Sequence, residues 1–340
     1  MYRPVVRGTY HEMGLNYGTI LYKHGFRLDK QTPEKLEFGR KGEKEVKRVF
    51  PEILEEIEGF SEAVHASYEQ ASSFMFGIGA FKVKPQCSAF AALTGSDVIF
   101  GRNYDFYDSF KKYTESYLTC PMKAYWSLGH SDVFIGREDG VNEKGLAIAM
   151  TGVSEKTIKP GLSFCLLVRA VLDKCATTEE AVGLLSDARI CSADNFLVAD
   201  REGNVAVVEA SPDRTRVRKS EKDEGFIVCT NHFVLPEMQD MEDLTHREKS
   251  NWDTIPRYET ITGMLKERKG KIDAQYAQKI LSNHSGYVCS HQKKIKLSTL
   301  WSIIATLKEP QIFRAEGTPC RSKYNQDLRL SKSLQRRKTP

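Results

Sequence analysis

The chain has 340 residues, of which 40% are hydrophobic and 28% charged, the proportions of a globular protein long enough for one large core or two ordinary ones. Its 50 basic and 45 acidic residues leave a net charge of +5, too even a balance to mark a nucleic-acid or membrane surface, so a small-molecule partner is expected. Met1-Tyr-Arg-Pro-Val-Val-Arg-Gly8 carries no apolar stretch of a secretory signal, no run is long enough to span a bilayer, and the eight cysteines form no C-x-x-C pair; these features point to a cytoplasmic protein with reduced, buried thiols.

From about Pro33 to Ala71 the chain is rich in Glu, Lys, Leu and Ala, and Phe50, Ile53, Leu54, Ile57, Phe60 and Val64 recur at helical spacing. Pro51 fits the first turn of a second helix there, because its fixed φ suits that position and its missing N–H is not needed. The pattern then changes. Cys87-Ser-Ala-Phe-Ala-Ala-Leu93, the turn Thr94-Gly-Ser-Asp97 and Val98-Ile-Phe-Gly-Arg-Asn-Tyr-Asp105 read as two strands joined by a tight hairpin, with Cys87 at the start of the first.

Further strands are expected at Asp132 to Gly136, Leu146 to Thr151, Asn195 to Ala199, Val205 to Ala210, Phe226 to Thr230 and Leu300 to Leu307. Their short connections predict mostly antiparallel sheets. Helices are expected at Leu162 to Lys174, from Thr177 with the capping-box partner Glu180, at Arg257 to Lys266 and at Asp273 to Leu281. The last dozen residues, about 329–340, carry Lys332, Arg336, Arg337 and Lys338 and read as a disordered basic tail.

A cysteine at a strand start packs into a core more often than it reacts. Fifteen residues on, however, Arg102 and Asp105 sit at the far end of the partner strand, and a hairpin folds that end back beside Cys87. A guanidinium favours the thiolate that attacks a carbonyl, and a carboxylate can hold an ammonium. On the residues alone, the trio reads equally as a strand-end Arg–Asp ion pair beside a core cysteine.

Blocks spread along most of the chain carry a resemblance. In order they are Gly8-Thr-Tyr-His-Glu-Met-Gly-Leu-Asn-Tyr-Gly18, Pro51-Glu-Ile-Leu-Glu-Glu-Ile-Glu-Gly-Phe-Ser-Glu-Ala63, Cys87-Ser-Ala-Phe90, Gly101-Arg-Asn-Tyr-Asp105, Asn142-Glu-Lys-Gly-Leu146, Asn195-Phe-Leu-Val-Ala-Asp-Arg-Glu-Gly203, Val208-Glu209, Thr230-Asn-His232 and Gly317-Thr-Pro-Cys320. Together they resemble the acyl-coenzyme A:6-aminopenicillanic acid acyltransferase family, and the central blocks are similar to the choloylglycine hydrolases and penicillin V acylases of the N-terminal-nucleophile superfamily. The resemblance implies an α+β fold, a four-layer αββα sandwich with mostly antiparallel sheets.

It also implies a precursor that cuts its own Gln86–Cys87 bond. Residues 1–86 would become a helical α chain that stays bound to a catalytic β chain, residues 87–340. Gln86 stands where these acyltransferases carry Gly. Cys87 would supply both nucleophile and, through its freed α-amino group, general base. By the same resemblance Asp105 orients that amine, Arg102 adds positive charge near the sulfur, Asn231 and the backbone N–H of Gly152 face the oxyanion, and Arg257 closes the network. Substrates would be N-acyl amides or acyl-coenzyme A, with no cofactor and no metal; the oligomeric state, homo-oligomer included, is left open. The segment 71–86, with Phe74, Met75, Phe76 and Ile78, offers an apolar acyl pocket or plain packing.

Three other readings compete. A papain-like protease would pair Cys87 with His130, His232, His246, His284 or His291, but the local Cys-Gly-Ser-Cys-Trp signature is missing. A metal site from His284, Cys289 and His291 has irregular spacing and lacks a fourth ligand. The fold could also serve an uncleaved binding protein.

Overall fold

The computed structural model describes residues 1–340 except 82–85, 96, 221–223, 246–253 and 339–340. Its frame is two stacked sheets. The larger has eight strands in the order β1 (Val5–Gly8), β4 (Glu115–Pro121), β5 (Ser127–Ser131), β6 (Asp139–Asn142), β7 (Ala147–Gly152), β8 (Asp194–Ala199), β9 (Val205–Ala210) and β10 (Thr215–Lys219). The smaller has seven: β11 (Phe226–Cys229), β2 (Gln86–Thr94), β3 (Asp97–Tyr107), β13 (Leu297–Thr306), β14 (Gln311–Glu316) and β15 (Asn325–Gln326), with β12 (His291–Gln292) paired to β13. Every pairing is antiparallel except β1 with β4.

Strand alternation divides the core. Cys87, Ala89 and Ala91 of β2 point between the sheets, with Leu128, Val141 and Ala149 of the larger one. Phe90 and Ala92 point the other way, onto α7 (Thr254–Glu267) and α8 (Ala274–Leu281) through Ile261, Leu265, Ala277 and Ile280. The outer face of the larger sheet is covered by α1 (Tyr10–Lys23), α2 (Pro33–Val49), α3 (Glu52–Ala63), α4 (Tyr68–Phe76), α5 (Phe164–Lys174) and α6 (Thr178–Asp187). The result is helix, sheet, sheet, helix, as expected.

Residues 1–86 are bound to the rest by more than apolar contact. Buried Arg169 of α5 pairs with Glu56 of α3 at 3.0 Å, and Tyr17 and Tyr10 donate to Glu115 and Asp173 at 2.6 and 2.9 Å. α1 and α3 cross at glycine: a Cβ on Gly59 would lie 2.1 Å from the His11 carbonyl oxygen, and one on Gly14 1.9 Å from that of Glu56.

Several expectations on local structure need correction. Residues 132–136 form a turn rather than a strand, because Phe134 adopts φ +59 and packs on Phe26, Phe60 and Phe74. The basic C-terminal segment is the helix α9 (Arg329–Lys338) instead of a disordered tail: Leu330 is buried against the inter-sheet core and Arg329 pairs with Asp327 at 2.7 Å. α1 is an additional helix, capped by Thr9 and Glu12 in a reciprocal box.

Candidate active site

The β2–β3 hairpin does what its sequence predicts. Its register places Gln86 opposite Asp105, Cys87 opposite Tyr104 and Ala89 opposite Arg102. Directly opposed residues share a face, so Arg102 reaches diagonally across to the sulfur between the sheets. Its Nη2 donates to Cys87 Sγ at 3.2 Å and to the Met150 carbonyl at 3.2 Å, while Nη1 is bonded to Asp139. The guanidinium lies over the stacked rings of Tyr104 and Trp301. All of these side chains are buried.

The other side of the strand carries the rest of the network. Arg257 of α7 bonds the Cys87 carbonyl oxygen, Ser88 Oγ at 3.0 Å and Asn231 Oδ1 at 2.8 Å. Asn231 Oδ1 also accepts the Cys87 backbone N–H at 2.8 Å, and its Nδ2 donates to the Gly152 carbonyl at 2.7 Å. Thr254 accepts the Asn231 N–H at 2.8 Å, and Asn195 Nδ2 holds the carbonyls of Thr230 and His232 at 2.9 and 3.0 Å, which fixes this loop. Asp105, on this same face, accepts from Thr299 Oγ1 at 2.5 Å, and its second oxygen has no hydrogen-bond partner among the described residues.

Thus Arg102, Asn231 and Arg257 converge on Cys87, Gly152 lies one hydrogen bond further out on Asn231, and Asp105 stands opposite Gln86. His246 lies outside the described residues. His232 turns Nδ1 to the hydroxyls of Thr254 and Thr230 at 2.8 and 3.1 Å, and His130 donates to Asp139 at 2.6 Å. The hydrogen-bond partner of Cys87 Sγ is a guanidinium, with no imidazole paired to it among the described residues. The described histidines therefore do not form the Cys–His pair that a papain-like protease needs.

Burial governs the ionisation of the site. It pushes the Cys87 thiol up to about 12, with Glu138 and Asp105 acting in the same direction and Arg102 and Arg257 against it. Asp105 is raised to about 7 by burial, against the pull of Arg257, the Thr299 hydroxyl and Arg102. Burial also acts against Asp139, but His130 and Arg102 more than offset it and keep its carboxyl below the usual range. In the unbroken chain the sulfur is therefore a neutral thiol beside a permanent cation.

Tyr104, the cross-strand neighbour of Cys87, lines a cavity of about 350 Å³ together with Asp132 and Glu138 and the apolar Ile78, Phe106, Phe110, Val133 and Phe164. Glu138 Oε2 is 3.7 Å from Arg102 Nη2, and neither carboxylate oxygen has a hydrogen-bond partner among the described residues. Of the segment read as an acyl pocket, Ile78 and Gly79 line this cavity, whereas Met75 and Phe76 are fully buried in the helical core; residues 82–85 lie outside the described residues. Glu138, Asp139 and Asp132 were not legible as site residues. Asp132 opens the stretch read as a strand, and Glu138 and Asp139 follow it without a motif that marks them.

The profile of the acyl-coenzyme A:6-aminopenicillanic acid acyl-transferase family matches residues 92–320, more than half of the chain. The chain belongs to that family. The match includes Arg102, Asp105, Gly152, Asn231 and Arg257 and begins five residues after Cys87. Among solved structures, a variant of the conjugated bile acid hydrolase from Clostridium perfringens superposes with a TM-score of 0.50 at 17% identity, over 71% of this chain and 92% of that one. A Caenorhabditis elegans N-acylethanolamine-hydrolyzing acid amidase ortholog gives 0.48 at 18%, over 65% and 93%, and penicillin V acylase from Agrobacterium tumefaciens 0.45 at 18%, over 68% and 83%. The fold of this family member is that of the N-terminal-nucleophile hydrolases. An uncharacterized Archaeoglobus fulgidus protein is 26% identical over 171 residues, 44% of this chain and 28% of that protein, so the chain spans under a third of that relative. No helix among the described residues is long and apolar enough to cross a membrane.

Proposed function

We propose that the protein is an autoprocessed cysteine amidohydrolase or acyltransferase that cleaves linear amide C–N bonds of N-acyl small molecules through a thioester on Cys87. The observation that carries this reading is the bracketing of one residue: Arg102 Nη2 lies 3.2 Å from its sulfur and Asn231 Oδ1 2.8 Å from its nitrogen. A core cysteine needs neither.

In the proposed first step the Cys87 thiol attacks the Gln86 carbonyl, the Gln86–Cys87 C–N bond breaks, and the acyl group passes to sulfur while the nitrogen takes the thiol proton. Water hydrolyses this thioester, leaving a Gln86 carboxylate and a free α-amino group on Cys87. That amine, with an ordinary pKa of about 7.7 to 8.0, then takes the thiol proton at working pH. Asn231 Oδ1, already accepting from this nitrogen, holds its direction.

Attack of the sulfur on a substrate amide gives a tetrahedral oxyanion. The second N–H of Asn231 Nδ2 and the backbone N–H of Gly152 are the assigned donors, one such donor being worth roughly 2.7 to 4 kcal/mol. The ammonium of Cys87 returns its proton to the leaving amine, and water or an acyl acceptor resolves the thioester. The apolar cavity takes the acyl group. In this scheme the ion pairs and tyrosine contacts between residues 1–86 and the rest keep both fragments together.

A denaturing gel with intact masses tests the first half. Fragments of 86 and 254 residues are expected from wild type, and one unbroken chain from Cys87→Ala. Release of amine from a panel of N-acyl amino acids, penicillin V and conjugated bile acids tests the second, with acyl-coenzyme A donors separating transfer from hydrolysis. A single band in both proteins with no turnover of any substrate defeats the proposal and leaves a binding protein.

A further inference from the structure

Away from Cys87, four metal-ligating side chains that are scattered in sequence meet at one point. His284 follows α8, Cys289 and His291 lie on the next turn and on β12, and Cys320 comes from the loop after β14. Their ligand atoms, one from each residue, all lie within 4.8 Å of one another. His291 Nε2 stands 3.4 Å from Cys289 Sγ and 3.1 Å from Cys320 Sγ.

These separations bracket those of a tetrahedral cation site, which the four side chains reach by shifts of about an ångström or less. With bonds of about 2.0 to 2.1 Å to nitrogen and 2.3 Å to sulfur, tetrahedral ligands stand roughly 3.3 to 3.8 Å apart. Two thiolates and two imidazoles form a donor set for Zn²⁺ and leave no open position for substrate, the mark of a structural rather than a catalytic ion. The sequence discloses three of the four. The β13–β14 hairpin supplies the fourth, because it returns Cys320 to the neighbourhood of β12, which pairs with β13 through His291 and Ser298.

The backbone is shaped for this convergence. Between His284 and Cys289 the chain turns through Gly286 and Tyr287 at φ +59 and +63, and the Cys289 N–H closes the turn on the Asn283 carbonyl at 2.7 Å. A Cβ at Gly286 would lie 2.3 Å from the Pro256 carbonyl oxygen of α7, so the turn is pressed against the helix that carries Arg257.

We infer that His284, Cys289, His291 and Cys320 form a structural Zn²⁺ site that pins the His284–Gln292 segment to the end of β14. The site has a line to the catalytic network. Between two of its ligands, the Ser290 N–H donates to Thr299 Oγ1 at 3.1 Å, and that hydroxyl donates to Asp105 at 2.5 Å. Next to His291, Gln292 Nε2 reaches Gln86 Oε1 at 3.4 Å. A bound ion thereby braces Asp105 and the residue before Cys87; this positioning role rests on the proposed function, whereas the metal site stands without it.

The test is metal content of the full-length protein, purified from zinc-supplemented medium in reducing buffer. About one zinc per chain is expected in wild type, and at least a tenfold lower content in Cys289→Ser and Cys320→Ser, with Cys175→Ser, outside the cluster, unchanged. Wild type stripped with a chelator and given Co²⁺ should develop the intense visible bands and thiolate-to-metal charge transfer of a tetrahedral cobalt site. Where a serine variant does not fold by circular dichroism, this Co²⁺ titration decides. The proposal is overturned if reduced, folded wild type takes up neither Zn²⁺ nor Co²⁺, if folded Cys320→Ser keeps its metal, or if alkylation and mass mapping find Cys289 joined to Cys320 in a disulfide. Self-cutting slowed in Cys320→Ser would add the brace; normal cutting with metal lost would remove the brace and leave the site.

Discussion

Asp105 offers a perturbation whose size and sign follow from its surroundings. Two arginines act on it, yet burial outweighs them and raises its pKa from 3.8 to about 7. The native chain therefore keeps this proton through a window in which the unfolded chain has lost it. Where the native state binds more protons, stability falls as pH rises. The Asp105 contribution is fully present below about pH 4, declines through the window and is gone above the folded pKa near 7. At 1.36 kcal/mol for each pH unit of the interval, the change amounts to about 4 kcal/mol. Asp105→Asn removes the titration and keeps an oxygen to accept from Thr299. Both arms of the experiment carry Cys87→Ala, so that no chain is cut, and urea unfolding is followed between pH 4.5 and 8. Relative to its parent, the Asn variant should gain stability steadily up to about pH 7 and hold that gain above it. Parallel curves across the whole window would refute the ordering of burial over the two guanidinium groups.

The other perturbations probe neighbouring links. Arg102→Met removes the contact to sulfur and the guanidinium bonded to Asp139; a charged hydrogen bond of about 1.5 to 3 kcal/mol predicts fragment formation slower by roughly 10- to 150-fold, read as band intensity against time, and an unchanged rate contradicts the role. Asn231→Ala should lower kcat on any accepted amide by about 10²- to 10³-fold, while equal kcat in folded, fully cut enzyme removes Asn231 from the oxyanion. Ile78→Trp narrows the 350 Å³ cavity, so KM for the longest acyl chains should rise while self-cutting is unaffected; uniform KM changes across chain lengths would place the acyl group elsewhere. Gly59→Ala forces a methyl to 2.1 Å from the His11 carbonyl and should cost about 1 to 3 kcal/mol by overpacking, visible as a lower Tm; no change would mean that α1 and α3 can part freely.

What could be read from the residues follows from where alternation and capping survive. The β2–β3 hairpin was legible because its two strands have a clear turn between them, and α6 because Thr177 accepts the Glu180 N–H at 3.2 Å. The strands β4, β5 and β6 were not, since both faces are covered and buried Ser116, Thr119, Ser127 and His130 interrupt any apolar run. Residues 132–136 failed in the opposite sense: Val133, Phe134 and Ile135 look like a strand, but tertiary packing spends them on a turn whose aromatic ring joins the helical layer. Arg102 and Asp105 lie within one hairpin with Cys87, so register alone places Arg102 on the face of the sulfur and Asp105 opposite Gln86.

The more distant partners needed the whole fold. Asn231, Arg257 and Gly152 come from three separate elements, and only the stacking of two sheets and one helix layer sets them around Cys87. Asp139 lies on the facing sheet and Glu138 just before it, so Asp139 holds Arg102 and Glu138 opposes loss of the Cys87 proton across the inter-sheet core, where a sequence pattern has no reach. The same reason hides Cys320, separated from His291 by an entire β-hairpin. Short-range geometry thus supplies Cys87 and its cation, while long-range topology supplies the burial that holds the thiol proton, with Glu138 acting in the same direction. Substitutions within the hairpin should therefore change whether the sulfur reacts, and substitutions on the facing sheet the pH at which it does so.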